Sequence, residues 1–99
     1  DRKHLGEDGL IVLVATLNSS DKRVVAGPDI VSRGFVYVRE SEHLMAEARR
    51  VATKVLESCA EQKLRDWSMM KTKVRDELYR LFHNRTRRNP VILPIIMEV

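Results

Sequence analysis

Pro28-Asp29-Ile30-Val31-Ser32-Arg33-Gly34-Phe35-Val36-Tyr37-Val38-Arg39-Glu40-Ser41 divides the chain into two kinds of sequence. Everything before it reads as strand, and everything just after it reads as helix. Two short apolar runs, Ile30-Val31 and Phe35-Val36-Tyr37-Val38, flank Ser32-Arg33-Gly34. A glycine between apolar runs marks a bulge, a left-handed turn or a close backbone approach, so Ser32, Arg33 and Gly34 are read as a structural joint. Arg33 is either a solvated loop charge or a fixed hydrogen-bonding fork. Ser41 closes the stretch as an N-cap, with Glu42 placed to complement the helix dipole.

Upstream, Gly9-Leu10-Ile11-Val12-Leu13-Val14-Ala15-Thr16-Leu17 is a continuous aliphatic run rather than an alternating one. Such a run suits a strand that is buried on both faces or central in its sheet. Asn18-Ser19-Ser20-Asp21 follows as a polar turn. Lys22 to Ala26 then gives a second strand, antiparallel to the first, and Gly27-Pro28 is expected to end it because proline cannot donate to a ladder. Phe35 to Val38 is an optional further strand.

Downstream, a helix is expected from Ser41 to about Gln62. Leu44, Ala48, Val51, Val55 and Cys59 recur at helical spacing, and Met45, Ala52 and Leu56 widen the stripe beyond about 100°. An arc this wide touches more than one neighbour: a sheet and a second helix, or additionally a partner subunit. Met45 and Leu56, at its far edge, are the candidate interface residues. Asp66 caps a second helix running to about Asn84 or Arg85, with Trp67, Met70, Val74, Leu78 and Leu81 as its core face. Asn89-Pro90 breaks that helix. Val91 to Val99 is a last strand, which Pro94 assigns to an edge or a bulge. The expected fold is therefore α+β: a small three- to four-stranded sheet with two helices on one face, in the order ββ(β)ααβ.

The 99 residues allow one domain with one core, and 43% hydrophobic with 32% charged residues suits a globular domain. Residues 1–8 read as a linker remnant and 9–99 as the domain. No stretch is long enough to span a bilayer, so no membrane partner is expected. The single cysteine, Cys59, cannot form an internal disulfide, which fits a cytoplasmic protein. Its apolar helical position reads as structural rather than reactive.

The net charge is +4, but Lys63 to Arg88 holds nine cations against three carboxylates. On a helical wheel with Val74 at zero, Lys71 and Arg75 fall on one flank of the core stripe and Lys73 and Arg80 on the other. No single basic stripe results. Arg85, Arg87 and Arg88 form the denser cluster and are the candidate RNA contacts, although cations there also suit a helix C-terminus.

Chemistry is hard to place anywhere. His4, His43 and His83 lie far apart, and neither a zinc-ligand spacing nor a phosphate loop nor a nucleophile elbow is present. Glu47, Glu57 and Glu61 are spread along a solvated helix face. No catalytic, metal or cofactor residue is assigned, and the residues by themselves read as a non-catalytic module.

The dividing stretch, from Pro28 to Tyr37, resembles the start of the C-terminal domain of bacterial ribonuclease J. Thr86-Arg87-Arg88-Asn89-Pro90-Val91-Ile92-Leu93-Pro94-Ile95-Ile96-Met97-Glu98-Val99 is similar to that family's closing segment. The resemblance implies a parent enzyme of the metallo-β-lactamase nucleases with an inserted β-CASP domain. Such an enzyme is a zinc-dependent hydrolase that cleaves RNA as a 5′-to-3′ exonuclease and an endonuclease in RNA maturation and mRNA turnover. Its metal-binding motifs do not occur in this chain, so none of its catalytic residues carries over. The resemblance further implies a domain that partners its own catalytic domains and a homo-oligomer, meeting RNA through the parent. Two roles follow for the chain itself: assembly, favoured by the wide apolar arc, and RNA binding, favoured by the basic segment 63–88.

Overall fold

The computed structural model describes residues 9–34, 41–64 and 66–99. The expected linker at 1–8 and the optional strand at Phe35–Val38 lie outside them. Strand β1 (Leu10–Leu17) is followed by β2 (Val24–Arg33), helix α1 (Ser41–Glu61), helix α2 (Trp67–Thr86) and β3 (Val91–Glu98). The sheet order is β2-β1-β3, with β2 antiparallel and β3 parallel to β1. The fold is α+β, and the proline-free aliphatic run is the central strand.

β1 alternates strictly. Ile11, Leu13, Ala15 and Leu17 are fully buried, whereas Leu10, Val12, Val14 and Thr16 are half-buried. The odd-numbered set faces the helices and builds the core together with Leu44, Ala48, Ala52, Leu56 and Cys59 of α1 and Met70, Val74, Leu78 and Phe82 of α2. α1 lies over β2, α2 lies over β3, and the two helices touch each other. The i, i+4 row Leu44-Ala48-Ala52-Leu56 is the centre of the α1 stripe, because the small side chains at 48 and 52 let the helix approach the sheet. Val51, Val55 and Met45 fall half-buried beside it. On α2 the buried row ends at Phe82, and Trp67 and Leu81 lie half-buried at its margins.

Helix ends follow local chemistry. The Asp66 carboxylate accepts hydrogen bonds from the Ser68 and Met69 N–H groups, which satisfies two orphan donors of α2. α1 ends with Lys63 in the left-handed region, where the Leu64 N–H bonds to the Cys59 carbonyl and the Lys63 N–H to Ala60. α2 ends with Arg87 at φ 61°, its N–H bonded to the His83 carbonyl.

The expectation that Gly27-Pro28 ends the second strand is corrected. β2 runs through both residues to Arg33. A register shift between Val14 and Thr16 accommodates them, with Val14 opposite Asp29 and Thr16 opposite Ala26. Pro28, in cis linkage, therefore sits at an irregularity of an edge strand, where no ladder donor is required. Pro94 obeys the same rule on the other edge. The Val91 N–H donates to the Gly9 carbonyl just before β1 and the Val99 N–H to the Leu17 carbonyl at its end, so by alternation the nitrogen of Pro94 points to the side of β3 away from β1.

Among the described residues, Lys22 is the buried charge that the sequence hid. It is 8% exposed, and its Nζ lies 2.9 Å from the Glu98 carboxylate, 3.1 Å from the Ser19 carbonyl and 4.8 Å from the Trp67 ring centroid. The hairpin turn, the last strand and the start of α2 are thereby tied at one point.

Candidate assembly interface

The helices cover one face of the sheet. On the other face the strand register places Leu10, Val12 and Val14 of β1 between Arg33, Val31 and Asp29 of β2 and Val91, Leu93 and Ile95 of β3. Directly opposed residues share a face, so these nine side chains form three rows of three. Met97 continues the β3 column opposite Thr16. Val31, Leu93, Ile95 and Met97, aligned on this face, are 48, 47, 38 and 48% exposed. A sheet face turned to water normally carries polar side chains in alternation. This one is apolar except for Asp29, Arg33 and Thr16. Contiguous exposed apolar surface of this kind marks a contact site.

The candidate interface residues read from the helical wheel are placed elsewhere. Leu56 is 1% exposed and lies in the core, and Met45 is half-buried against it. This is a correction: the wide arc of α1 is used within the domain, because the helix meets β2 on one side and α2 on the other. The missed surface had a signal in the sequence. The unbroken apolar run of β1 implied burial on both faces, and Val91, Leu93, Ile95, Met97 and Val99 repeat at the strand period of two.

The joint residues divide between two settings. Ser32 and Arg33 end β2, and Gly34 follows at φ 70°. Arg33 is a surface charge at the edge of the apolar face, and neither it nor Asp29 has an ion-pair partner among the described residues.

The basic cluster is exposed but partly engaged. Arg85 pairs with Glu47 of α1, which removes that glutamate from the solvated series. Arg87 is the C-cap of α2, and the Arg88 N–H donates to the Thr86 hydroxyl. His83, one turn from that end, is hydrogen-bonded to Asn89 at 2.8 Å and stacked beside Tyr79. These side chains terminate a helix and splice it to β3.

Among the described residues, no three His, Cys, Asp or Glu side chains are placed to hold a metal ion. No described helix is long and apolar enough to cross a membrane. Cys59 is buried, and burial pushes its thiol above the usual range, outweighing the Lys73 charge, which pulls the other way. A raised thiol pKa leaves little thiolate at neutral pH, and the fold shields the sulfur. Cys59 is therefore expected to resist alkylation in the native chain and to label fully in denaturant. Rapid native labelling, read by mass spectrometry, would place it at an accessible site instead.

The chain matches the family model described as the ribonuclease J C-terminal domain over residues 1–99. It is similar to Ribonuclease J 2 of Staphylococcus epidermidis, with 44% identity over 99 residues that make up 100% of the chain and 18% of that protein. It is similar at 43% identity, with the same coverage, to Ribonuclease J 2 of Staphylococcus aureus. The chain thus spans 18% of the length of the curated relatives it matches. With a family model matched from end to end and the α+β fold in place, the chain belongs to the ribonuclease J family, as its C-terminal domain.

Proposed function

We propose that this domain is a non-catalytic assembly module of a ribonuclease J-type enzyme. The parent would be a zinc-dependent 5′-to-3′ exo- and endoribonuclease of RNA maturation and mRNA turnover, working in the cytoplasm on the metallo-β-lactamase and β-CASP plan. No three His, Cys, Asp or Glu side chains among the described residues are placed to hold zinc, and the proposal places metal and hydrolysis in other domains of the parent. The domain's task is to hold copies of the enzyme together and so position the catalytic bodies. The single observation that carries this reading is the apolar sheet face around Val12, Val31, Leu93 and Ile95, which neither helix covers and which is exposed among the described residues.

The test uses the full-length protein that carries the domain. Leu93→Glu together with Ile95→Glu places carboxylates on the open face and leaves the core untouched. The expected result is a shift to smaller assemblies in sedimentation velocity, with the circular dichroism of the domain unchanged. An assembly unaffected by the pair of carboxylates would sink the reading. RNA binding is the competing role, and the exposed guanidinium groups of Arg87 and Arg88 favour it. It has its own signature, because phosphate contacts release counterions and make affinity fall steeply with salt. If Arg85→Ala, Arg87→Ala and Arg88→Ala together flatten that slope while the carboxylate pair leaves assembly intact, RNA binding replaces assembly.

A further inference from the structure

The open face has a form that limits how two copies can join. Its two edges are poor joining surfaces. The free side of β3 carries Pro94, which offers no N–H, and β2 carries Pro28, which likewise offers none, at a register irregularity. Pairing edge to edge into one longer sheet is therefore disfavoured, and the face itself is the surface left. Three strands of about eight residues give a footprint of roughly 350–400 Å². That is about half of the ~800 Å² that each partner contributes to a stable complex. A symmetric pair sharing this face therefore needs correct register rather than area alone.

Two in-plane two-fold axes can stack the face on itself. An axis along the strands lays β2 of one copy over β3 of the other. Asp29 then meets Ile95, and Arg33 meets Val91, so four charges face apolar side chains without partners. An axis across the strands, through the row Val12, Val31 and Leu93, lays each strand over its own copy in the opposite direction. Val31 then meets Val31, and Asp29 meets Arg33 on both sides of the axis. Stacked sheets lie about 10 Å apart and cross at about 30°, which displaces edge-strand positions two residues from the axis by about 4 Å. A long arginine side chain spans that gap.

Resting on the assembly reading above, we infer that the partner of this face is a second copy of the same domain, packed face to face about an axis across the strands. Asp29 of each copy pairs with Arg33 of the other. Within one chain the two residues lie four positions apart on one strand, about 13 Å, so they cannot pair with each other. The two charges are thus unpaired within the described domain and self-complementary between copies. Ion pairs at the rim of an interface set register and exclude wrong arrangements more than they add affinity.

The experiment is a charge exchange in the full-length protein. Asp29→Arg places two arginines opposite each other on both sides of the axis, and Arg33→Asp places two carboxylates there. Each single change is expected to weaken self-association about tenfold or more, and the double exchange to restore it to within about threefold. Self-association is read by sedimentation equilibrium at low salt, where surface charge is least screened. Rescue by the double exchange cannot come from a contact within one chain, given the separation. If both single variants assemble as the parent does, or if the double exchange is as weak as its parts combined, this geometry is wrong. In that event the Leu93→Glu and Ile95→Glu pair still reports separately on whether the face is an interface. Dissociation by that pair without charge rescue leaves assembly standing with another packing, and no dissociation removes both.

Discussion

Leu56→Glu is expected to abolish the cooperative unfolding transition of the 99-residue chain, leaving a spectrum with little helix. The change removes a leucine side chain from a site that is 1% exposed and puts a carboxylate there with no partner. Truncating a buried leucine costs about 2–5 kcal/mol, and an unpaired buried charge adds several more. A domain of this size holds about 5–15 kcal/mol in total. Met45→Glu, at a half-buried position on the same helix, is expected to cost only about 1–2 kcal/mol. Chemical denaturation followed by circular dichroism checks both. A well-folded Leu56→Glu chain would mean that α1 turns this side chain to a surface and that the core is assembled differently.

The second large effect is expected at Gly27. Its φ is +83°, a conformation that L side chains rarely adopt, and a Cβ built on it would lie 2.8 Å from the Val14 carbonyl oxygen. That oxygen belongs to the backbone of the central strand and has little freedom to retreat. Gly27→Val adds strain of about 1–3 kcal/mol to this clash and disturbs the register of β2 against β1. Gly34 provides the comparison. It has φ +70°, but the nearest atom to its Cβ would be the Gly9 Cα at 3.6 Å, an ordinary contact. Gly34→Val should thus cost about 1–3 kcal/mol from backbone strain alone. Melting midpoints measured on both variants should therefore fall in the order native, Gly34→Val, Gly27→Val. The reverse order would show that the bulge can relax and the joint cannot.

The regular elements were legible because each is written at its own period. The 20 residues of α2 carry Met70, Val74 and Leu78 at helical spacing and begin at a textual cap, Asp66. β1 stands out by its unbroken aliphatic run. The full reach of β2 was not legible, because Gly27-Pro28 ordinarily terminates a strand, and only pairing with a long neighbour shows that it continues. Lys22 was not legible for a related reason. Its burial depends on Glu98 and Trp67, which are distant in sequence, and a lysine beside a turn gives no sign of them.

The candidate surface shows the same limit at a different scale. Helical-wheel reasoning finds apolar width but cannot say which neighbour consumes it, and so it selected Met45 and Leu56. The wheel could not know that α1 is held between β2 and α2. Strand periodicity located the open face in principle, since Leu93, Ile95 and Met97 alternate with Pro94 and Ile96. Deciding which set faces water required the position of the helices. The dispersal of Arg85, Arg87 and Arg88 among a cross-helix pair, a cap and a turn is likewise a tertiary fact.

The parallel pairing of β1 with β3 has a consequence for synthesis. Leu10 is made before both helices, yet its partner Val91 is made only after them. Until then the central strand has β2 on one side and an unsatisfied ladder on the other. Topologies dominated by such distant pairings fold more slowly than those built from local contacts. The two helices and the β1–β2 hairpin can form as local units during translation, but the sheet closes only when the last strand arrives. A nascent chain arrested before Val91 would accordingly display its central strand edge-on, and this interval is when the domain is most exposed to aggregation and to chaperones.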